Sequence, residues 1–264
     1  MPDELRGIVA LVTRPAGQGA ALAAAIRAAG GEALECPLLE IRPLAVEHAA
    51  LSLLLQHSTI AVFVSTNAVS SALAAVRDAG LVWPPALRCL AVGDATREAL
   101  RRAGLDAESG EGGAMNSEEL LCHPALVSVQ GQGVVIFKGE GGRQLIAEEL
   151  RARGARVQEC ALYRRVLPHG AADLLGSLLG ERQVNAFLAS SGETFVNLLG
   201  LLDRMPAGKV PAEACFVVPG ERVAAEARQR VTAPVVTARN ASDVAMLEAL
   251  AVVARAPGGK AEHS

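Results

Sequence analysis

Aromatic residues are scarce in this 264-residue chain: they make up 3% of it, with one Trp, one Tyr and five Phe. A core must therefore be built from Ala, Val and Leu, which suits helices packed on sheets. Cysteine is also sparse. Cys36, Cys89, Cys122, Cys160 and Cys215 are odd in number and far apart, with no C-x-x-C pair, so reduced, buried thiols are expected rather than a disulfide framework. His48, His57, His123, His169 and His263 show no zinc-ligand spacing with those cysteines or with one another, which argues against a metal site. No basic tract is present. The 25 Lys and Arg are scattered and the net charge is −3, so nucleic acid is not an expected partner. Their bias towards Arg suits forked recognition of carboxylates and is equally what codon bias would produce. No apolar run is long enough for a membrane span: Ile8-Val9-Ala10-Leu11-Val12, behind Asp3-Glu4, is too short even for a signal segment. The expectation is a cytoplasmic protein with no membrane partner. A hydrophobic fraction of 51% and a charged fraction of 20% fit a globular protein, and the length favours two lobes.

What is present is a repeat. Ala10-Leu11-Val12-Thr13-Arg14, followed by an Ala-rich helix ending at Gly30, matches Val134-Val135-Ile136-Phe137-Lys138 and its helix ending at Gly154, at an offset of 124 residues. The same offset puts Cys36 on Cys160, and Ala61 to Asn67 on Asn185 to Ser191. Cys89-Leu90-Ala91-Val92-Gly93 then matches Cys215-Phe216-Val217-Val218-Pro219 at 126, and Asn116 to Leu120 matches Ala241 to Ala245 at 125. Each copy alternates short Val- and Ile-rich runs with Ala- and Leu-rich helical stretches, the pattern of a parallel sheet covered on both faces.

Between strands and helices stand Thr13-Arg14-Pro15, Ser65-Thr66-Asn67, Gly93-Asp94-Ala95-Thr96, Lys138-Gly139 and Ser190-Ser191-Gly192. These are turn and helix-capping chemistries. In an open parallel sheet such loops lie at the carboxyl ends of the strands, where ligands bind, and their hydroxyls and free helix amides suit anions. Two proline-bounded extended segments, 37–43 and 161–168, read as connecting strands. The loop Glu108 to Gly113 and the tail from Pro257 are expected to be mobile.

The order of these elements resembles the uroporphyrinogen-III synthase family over nearly the whole chain. The resemblance is carried by Thr13-Arg14-Pro15, Ser65-Thr66-Asn67-Ala68-Val69, Ala91 to Thr96 with Gly104, Gly139 with Gly142-Arg143, Arg153-Gly154-Ala155, Tyr163-Arg164-Arg165, Ser190-Ser191-Gly192 and Ala241-Ser242-Asp243. It implies an α/β fold of two flavodoxin-like lobes with parallel sheets, joined by a two-stranded connection, with the active site in the inter-lobe cleft. The first lobe would be discontinuous, 1–38 with 167–264, and the second would be 41–164. The implied reaction dehydrates hydroxymethylbilane, inverts its ring D and closes the macrocycle to uroporphyrinogen III. No metal or redox cofactor is implied, because the pyrrole nitrogens supply the electron push and the protein's task is orientation. The implied partner is a linear tetrapyrrole polycarboxylate. The implied state is a monomer, with transient contact to the enzyme that supplies its substrate.

By the same resemblance Tyr163, the sole tyrosine, is the candidate for helping the hydroxyl depart, as a weak acid or hydrogen-bond donor. The alternative is a packed tyrosine that hydrogen-bonds backbone. Thr96, Gly93, Ser65, Thr66, Asn67, Ser190, Ser191 and Gly192 are candidates for holding substrate carboxylates, against ordinary capping. Thr13 belongs with them, as do Arg14 and Lys138, equivalent cations in the two copies, against solvated charges. Lys138 stands where the family often has Arg, Ser190-Ser191-Gly192 lacks an intervening proline, and Pro219-Gly220-Glu221-Arg222 has no threonine matching Thr96. The rival reading is a non-catalytic two-lobed ligand-binding or regulatory protein on the same fold. A nucleotide enzyme is disfavoured because G-x-G-x-x-G is missing after the first strand and Gly139-Glu140-Gly141-Gly142 lacks the Walker lysine and serine. A serine hydrolase is disfavoured by the missing G-x-S-x-G elbow.

Overall fold

The computed structural model describes residues 4–110, 117–142, 144–205 and 214–255. In chain order the elements are β1 (Val9–Val12), α1 (Ala20–Ala28), β2 (Glu32–Glu35), β3 (Glu40–Pro43), α2 (His48–His57), β4 (Ile60–Phe63), α3 (Thr66–Asp78), β5 (Arg88–Ala91), α4 (Asp94–Arg102) and β6 (Ala107–Ser109). Then follow α5 (Ser117–Leu121), α6 (Pro124–Val127), β7 (Gly133–Gly139), α7 (Leu145–Ala152), β8 (Arg156–Val166), α8 (Ala171–Glu181), β9 (Ala186–Leu188), α9 (Gly192–Leu202), β10 (Cys215–Pro219), α10 (Gly220–Arg230), β11 (Val235–Ala238) and α11 (Asp243–Arg255). Among the described residues, no helix is long and apolar enough to cross a membrane.

The chain divides into two compact units, unit 1 of 1–40 with 166–264 and unit 2 of 41–165. Unit 1 holds a parallel sheet in the order β11-β10-β9-β1-β2. In unit 2 the order is β8-β7-β4-β5-β6, again parallel, with β3 bordering β8. Unit 1 has the flavodoxin-like order 2-1-3-4-5; unit 2 lays out the repeat-equivalent strands in the same spatial order, but in its own chain order this reads 3-2-1-4-5, and neither sequence copy supplies a whole sheet. The first copy gives β1 and β2 to unit 1 and β4, β5 and β6 to unit 2; the second gives β7 and β8 to unit 2 and β9, β10 and β11 to unit 1. The copies have exchanged halves.

Period-two alternation assigns each strand's side chains to its two faces. On β4 and β7, Ala61, Phe63, Val135 and Phe137 face a core formed with α2 and α3, whereas Ile60, Val62, Val134 and Ile136 face α5, α6 and α7. Unit 1 repeats this: Leu11, Phe187, Phe216 and Val218 pack under α8, α9 and α10, and Ala10, Val12, Leu188 and Val217 under α1 and α11. The few aromatics all fall on the first of these faces. Phe63 stacks on Phe137 at 5.1 Å beside Trp83 in unit 2, and Phe216 meets Phe187 at 5.3 Å and Phe195 at 5.7 Å in unit 1. Each such buried ring contributes about 1.5–3 kcal/mol through removal from water.

Three local expectations need correction. Segment 161–168 is strand as far as Val166, but as the continuation of β8, which begins at Arg156 and pairs to β7 as far as Tyr163; in the partner segment only Glu40–Pro43 is strand, and it borders β8. Glu108 and Ser109 belong to β6, not to a mobile loop: they pair with Leu90 and Ala91, and Arg88 grips the Glu108 carboxylate with a fork at 2.6 and 2.7 Å. Residues 111–113 of that loop, and the tail from Pro257, lie outside the described residues. Third, the repeat register around Ser65 is 126 rather than 124, since β4 starts at Ile60 and β9 at Ala186, and the helix-capping serines are Ser65 and Ser191.

The four buried cysteines form two repeat-related pairs, Cys36 with Cys160 and Cys89 with Cys215, and burial pushes all four thiols up to about 11. They are inert core residues.

Candidate active site

Adjacent strands whose connections leave in opposite directions create a crevice at their carboxyl ends. In unit 2 those strands are β4 and β7. Ser65, just after β4, is extended at φ −166° and ψ 165°, and its Oγ accepts the Ala68 N–H at 3.1 Å, capping α3. The same Oγ lies 2.9 Å from the phenolic oxygen of Tyr163. Thr66 and Asn67 follow in the first turn of α3. Tyr163 sits on β8 with 3% of its surface exposed and its ring in the aromatic face of the core.

Gly139, the last residue of β7, makes this placement possible. The β7–β8 register shifts between Lys138 and Gly139, which brings Gly139 opposite Tyr163. A Cβ on residue 139 would lie 2.7 Å from Tyr163 Cε2, 2.8 Å from Cζ and 3.2 Å from the phenol oxygen. The phenol therefore crosses the end of β7 only because residue 139 has no side chain. One residue earlier, Lys138 turns to the other face. It is 8% exposed and donates to Glu159 Oε2 at 2.8 Å, while Arg151 donates to Oε1 at 2.9 Å. The Lys138 ammonium, more than the Arg151 guanidinium, holds the Glu159 carboxyl below the usual carboxylate range.

At the end of β5, Gly93 adopts φ 104° and ψ 161°, a region essentially closed to side-chain-bearing residues. Its carbonyl accepts the N–H groups of Thr96 and Arg97, which starts α4, and Thr96 is buried in the first turn. Gly93 caps α4 without a side-chain hydrogen bond, as Gly19 does α1 and Gln144 does α7. Side-chain capping is thus less general at these loops than expected, because the backbone turn itself aims the amides.

The matching crevice in unit 1 lies between β1 and β9. The buried Thr13 Oγ1 donates to the Leu188 carbonyl at 2.8 Å, so its hydroxyl ties these strands together. Arg14 lies 2.8 Å from Asp243 and also donates to the Ala241 carbonyl. Ser191 caps α9 in a reciprocal box: its Oγ accepts the Thr194 N–H at 3.1 Å, and its own N–H donates to Thr194 Oγ1 at 2.9 Å. Ser190 precedes this cap and Gly192 opens the helix.

A family model described as uroporphyrinogen-III synthase HemD matches residues 20–248. The chain is 33% identical to the uroporphyrinogen-III synthase of Salmonella typhimurium, a match covering 91% of this chain and 98% of that one. It is 31% identical to that of Escherichia coli, with the same coverage. The chain belongs to the uroporphyrinogen-III synthase family. Two solved structures share its fold: a mutant uroporphyrinogen III synthase of the extreme thermophile Thermus thermophilus, with TM-score 0.64, 19% identity and 93% and 98% of the two chains covered, and one of Helicobacter pylori, with TM-score 0.59, 14% identity and 95% and 100% covered.

For this member of the uroporphyrinogen-III synthase family, the residues named from sequence divide into groups. Ser65 and Tyr163 are in direct contact, with Thr66 and Asn67 beside them. Gly93 and Thr96 stand at the next strand end. Thr13, Arg14, Ser190, Ser191 and Gly192 gather at the β1–β9 crevice of unit 1. Arg14 and Lys138, read as cations facing a ligand, are both held by acids. The sequence reading missed Glu159 and the packing role of Gly139. Period-two alternation puts Glu159 on the opposite face of β8 from Cys160 and Leu162, the face that Lys138 takes on β7, so strand periodicity could have placed the two together. Nothing local could have linked Ser65 to a tyrosine 98 residues away. Among the described residues, no cluster of His, Cys, Asp and Glu could hold a metal ion.

Proposed function

We propose that this chain is a uroporphyrinogen-III synthase, a cyclising lyase that removes water from hydroxymethylbilane and closes it, with ring D inverted, to uroporphyrinogen III. The observation that carries the reading is the full-length match: 33% identity runs through 98% of the Salmonella enzyme, so the resemblance is not confined to a shared lobe or motif. The sheets supply suitable equipment. Amides at helix starts, hydroxyls and a few strand-end cations can hold a polycarboxylate in one conformation, and orientation is the main requirement for inverting a ring that closes uninverted without help.

In this reading the candidates for holding carboxylates are, in unit 2, the loops Ser65 to Asn67 and Gly93 to Thr96 and, in unit 1, Thr13, Arg14 and Ser190 to Gly192. Lys138, paired with Glu159, is a further candidate for holding a carboxylate. Tyr163 assists departure of the hydroxyl. The protein works in the cytoplasm as a monomer, taking the unstable bilane by transient contact with the enzyme that makes it.

The test is to give purified protein fresh hydroxymethylbilane and identify the isomer formed. Isomer III, made faster than spontaneous closure, is the expected product. Isomer I alone at the spontaneous rate would sink the enzymatic reading and favour a binding protein on this fold.

A further inference from the structure

Tyr163 is surrounded by features that fix one atom, its phenol oxygen. The ring is packed in the core, Gly139 leaves just enough room beneath it, and the oxygen ends 2.9 Å from Ser65 Oγ. That Oγ already accepts the Ala68 N–H at 3.1 Å, at the positive end of α3. Among the described residues, these two are the partners of the Ser65 hydroxyl. A serine oxygen that accepts from an amide is polarised and becomes a better donor of its own hydrogen.

We propose that Ser65 is a positioning residue for Tyr163, acting as a hydroxyl relay that stabilises the negative charge developing on the phenol oxygen as Tyr163 gives up its proton. The proposal rests on the synthase reading and assigns Ser65 a role other than holding a carboxylate. As the substrate's carbon–oxygen bond breaks, its electron pair stays with oxygen, which takes the phenol proton and leaves as water. A pyrrole nitrogen lone pair fills the vacancy on carbon. Ser65 then donates to the phenolate, with Ala68 N–H behind it. The proton released when the closed macrocycle regains its aromatic pyrrole returns to Tyr163, so the enzyme ends unchanged. The hydrogen bond is stronger to the charged oxygen than to the neutral phenol, so it lowers the barrier rather than merely binding substrate.

The repeat offers an internal contrast. In unit 1 the equivalent serine, Ser191, is closed off by Thr194, whereas the residue matching Thr194 in unit 2 is Ala68. Ser65 lacks that local partner and reaches Tyr163.

The experiment compares Ser65→Ala, Ser65→Thr, Tyr163→Phe and the double variant Ser65→Ala/Tyr163→Phe, with turnover and thermal midpoint measured for each. Ser65→Ala should lower kcat roughly tenfold with little change in KM, Ser65→Thr should recover most of that loss, and Tyr163→Phe should cost more than either. In the Tyr163→Phe background, Ser65→Ala should cost no further kcat while still lowering the midpoint, because the cap is lost in both backgrounds. Independent kcat losses, or Ser65→Ala with wild-type kcat, would overturn the relay and leave the synthase reading standing. Wild-type protein that makes no isomer III would overturn both. A readout without turnover comes from the sole tyrosine, whose ring Raman doublet reports its hydrogen bonding: Ser65→Ala should alter it and Ser65→Thr restore it, and an unchanged doublet in Ser65→Ala would remove the contact on which the relay depends.

Discussion

The two units share strand order, capping serines and the placement of their aromatics, but their strand-end crevices are finished differently. In unit 1 three of the named side chains are held by near neighbours in the fold: Thr13 by Leu188, Arg14 by Asp243, Ser191 by Thr194. In unit 2 the capping serine bonds instead to a tyrosine on another strand, over a glycine. The repeat-equivalents of Gly139 and Tyr163 are Pro15 and Leu39, which can build no such arrangement. Ala68, Gly139 and Tyr163, in place of Thr194, Pro15 and Leu39, distinguish the crevice whose capping serine meets a phenol.

The largest effects should test whether the frames are equal. Phe137→Ala in unit 2 and Phe216→Ala in unit 1 each remove a buried ring from an aromatic group, and each should cost about 3–5 kcal/mol by chemical denaturation. A loss below about 1 kcal/mol in one would mean that the two cores are not energetic counterparts.

Gly139→Ala comes next. Its Cβ would overlap the Tyr163 ring, so a destabilisation of about 1–3 kcal/mol is expected, with turnover down at least tenfold. The contrasting change in unit 1 is Gly192→Ala, whose Cβ would meet Val223 at an ordinary 3.8 Å, and stability should stay within about 0.5 kcal/mol of the parent. Equal destabilisation by the two would contradict the close approach at Gly139.

Ser65→Ala and Ser191→Ala each remove a helix cap worth about 1 kcal/mol. The Ser191 change should be the costlier of the two, since it dismantles a reciprocal box, and equilibrium unfolding of both variants measures the order. A larger loss at Ser65 would show that the Tyr163 contact, rather than the cap, dominates there.

The smallest expected effect is shared by both units. Cys36 and Cys215 in unit 1, and Cys89 and Cys160 in unit 2, have thiols raised to about 11, whereas unfolded thiols ionise near about 8.5. The folded state therefore holds these protons more tightly. Its advantage is full below the unfolded value and is lost as pH rises from there through about 11. A thiol reagent at mildly alkaline pH should label the exposed Cys122 quickly and the other four only on unfolding. Rapid labelling of two sites in one unit would mark that unit as the less stable.

Much of this was legible in the residues. Val–Ile runs gave the strands, serine and glycine at strand ends gave the helix starts, and Ser65 and Ser191 cap as their types suggest. The repeat was visible but its register slipped by two residues near Ser65, because Ala-Val-Phe and Asn-Ala-Phe align equally well as apolar strings and only backbone pairing separates them. The pairing of Lys138 with Glu159 was not legible, because Glu159 lies on the neighbouring strand, beyond local view.

The sequence by itself determined most of the strands and helices, several of the helix starts, and that the set occurs twice; these follow from periodicity and capping, which act over a few residues. Only the tertiary structure decided that each sheet combines strands from both copies. Parallel strands pair across long loops, and both copies offer similar apolar edges, so local pattern does not choose between pairing within a copy and pairing between copies. The contact between Ser65 and Tyr163 depends on that choice, because the exchange of halves is what puts β4 beside β7 in the sheet that also holds β8.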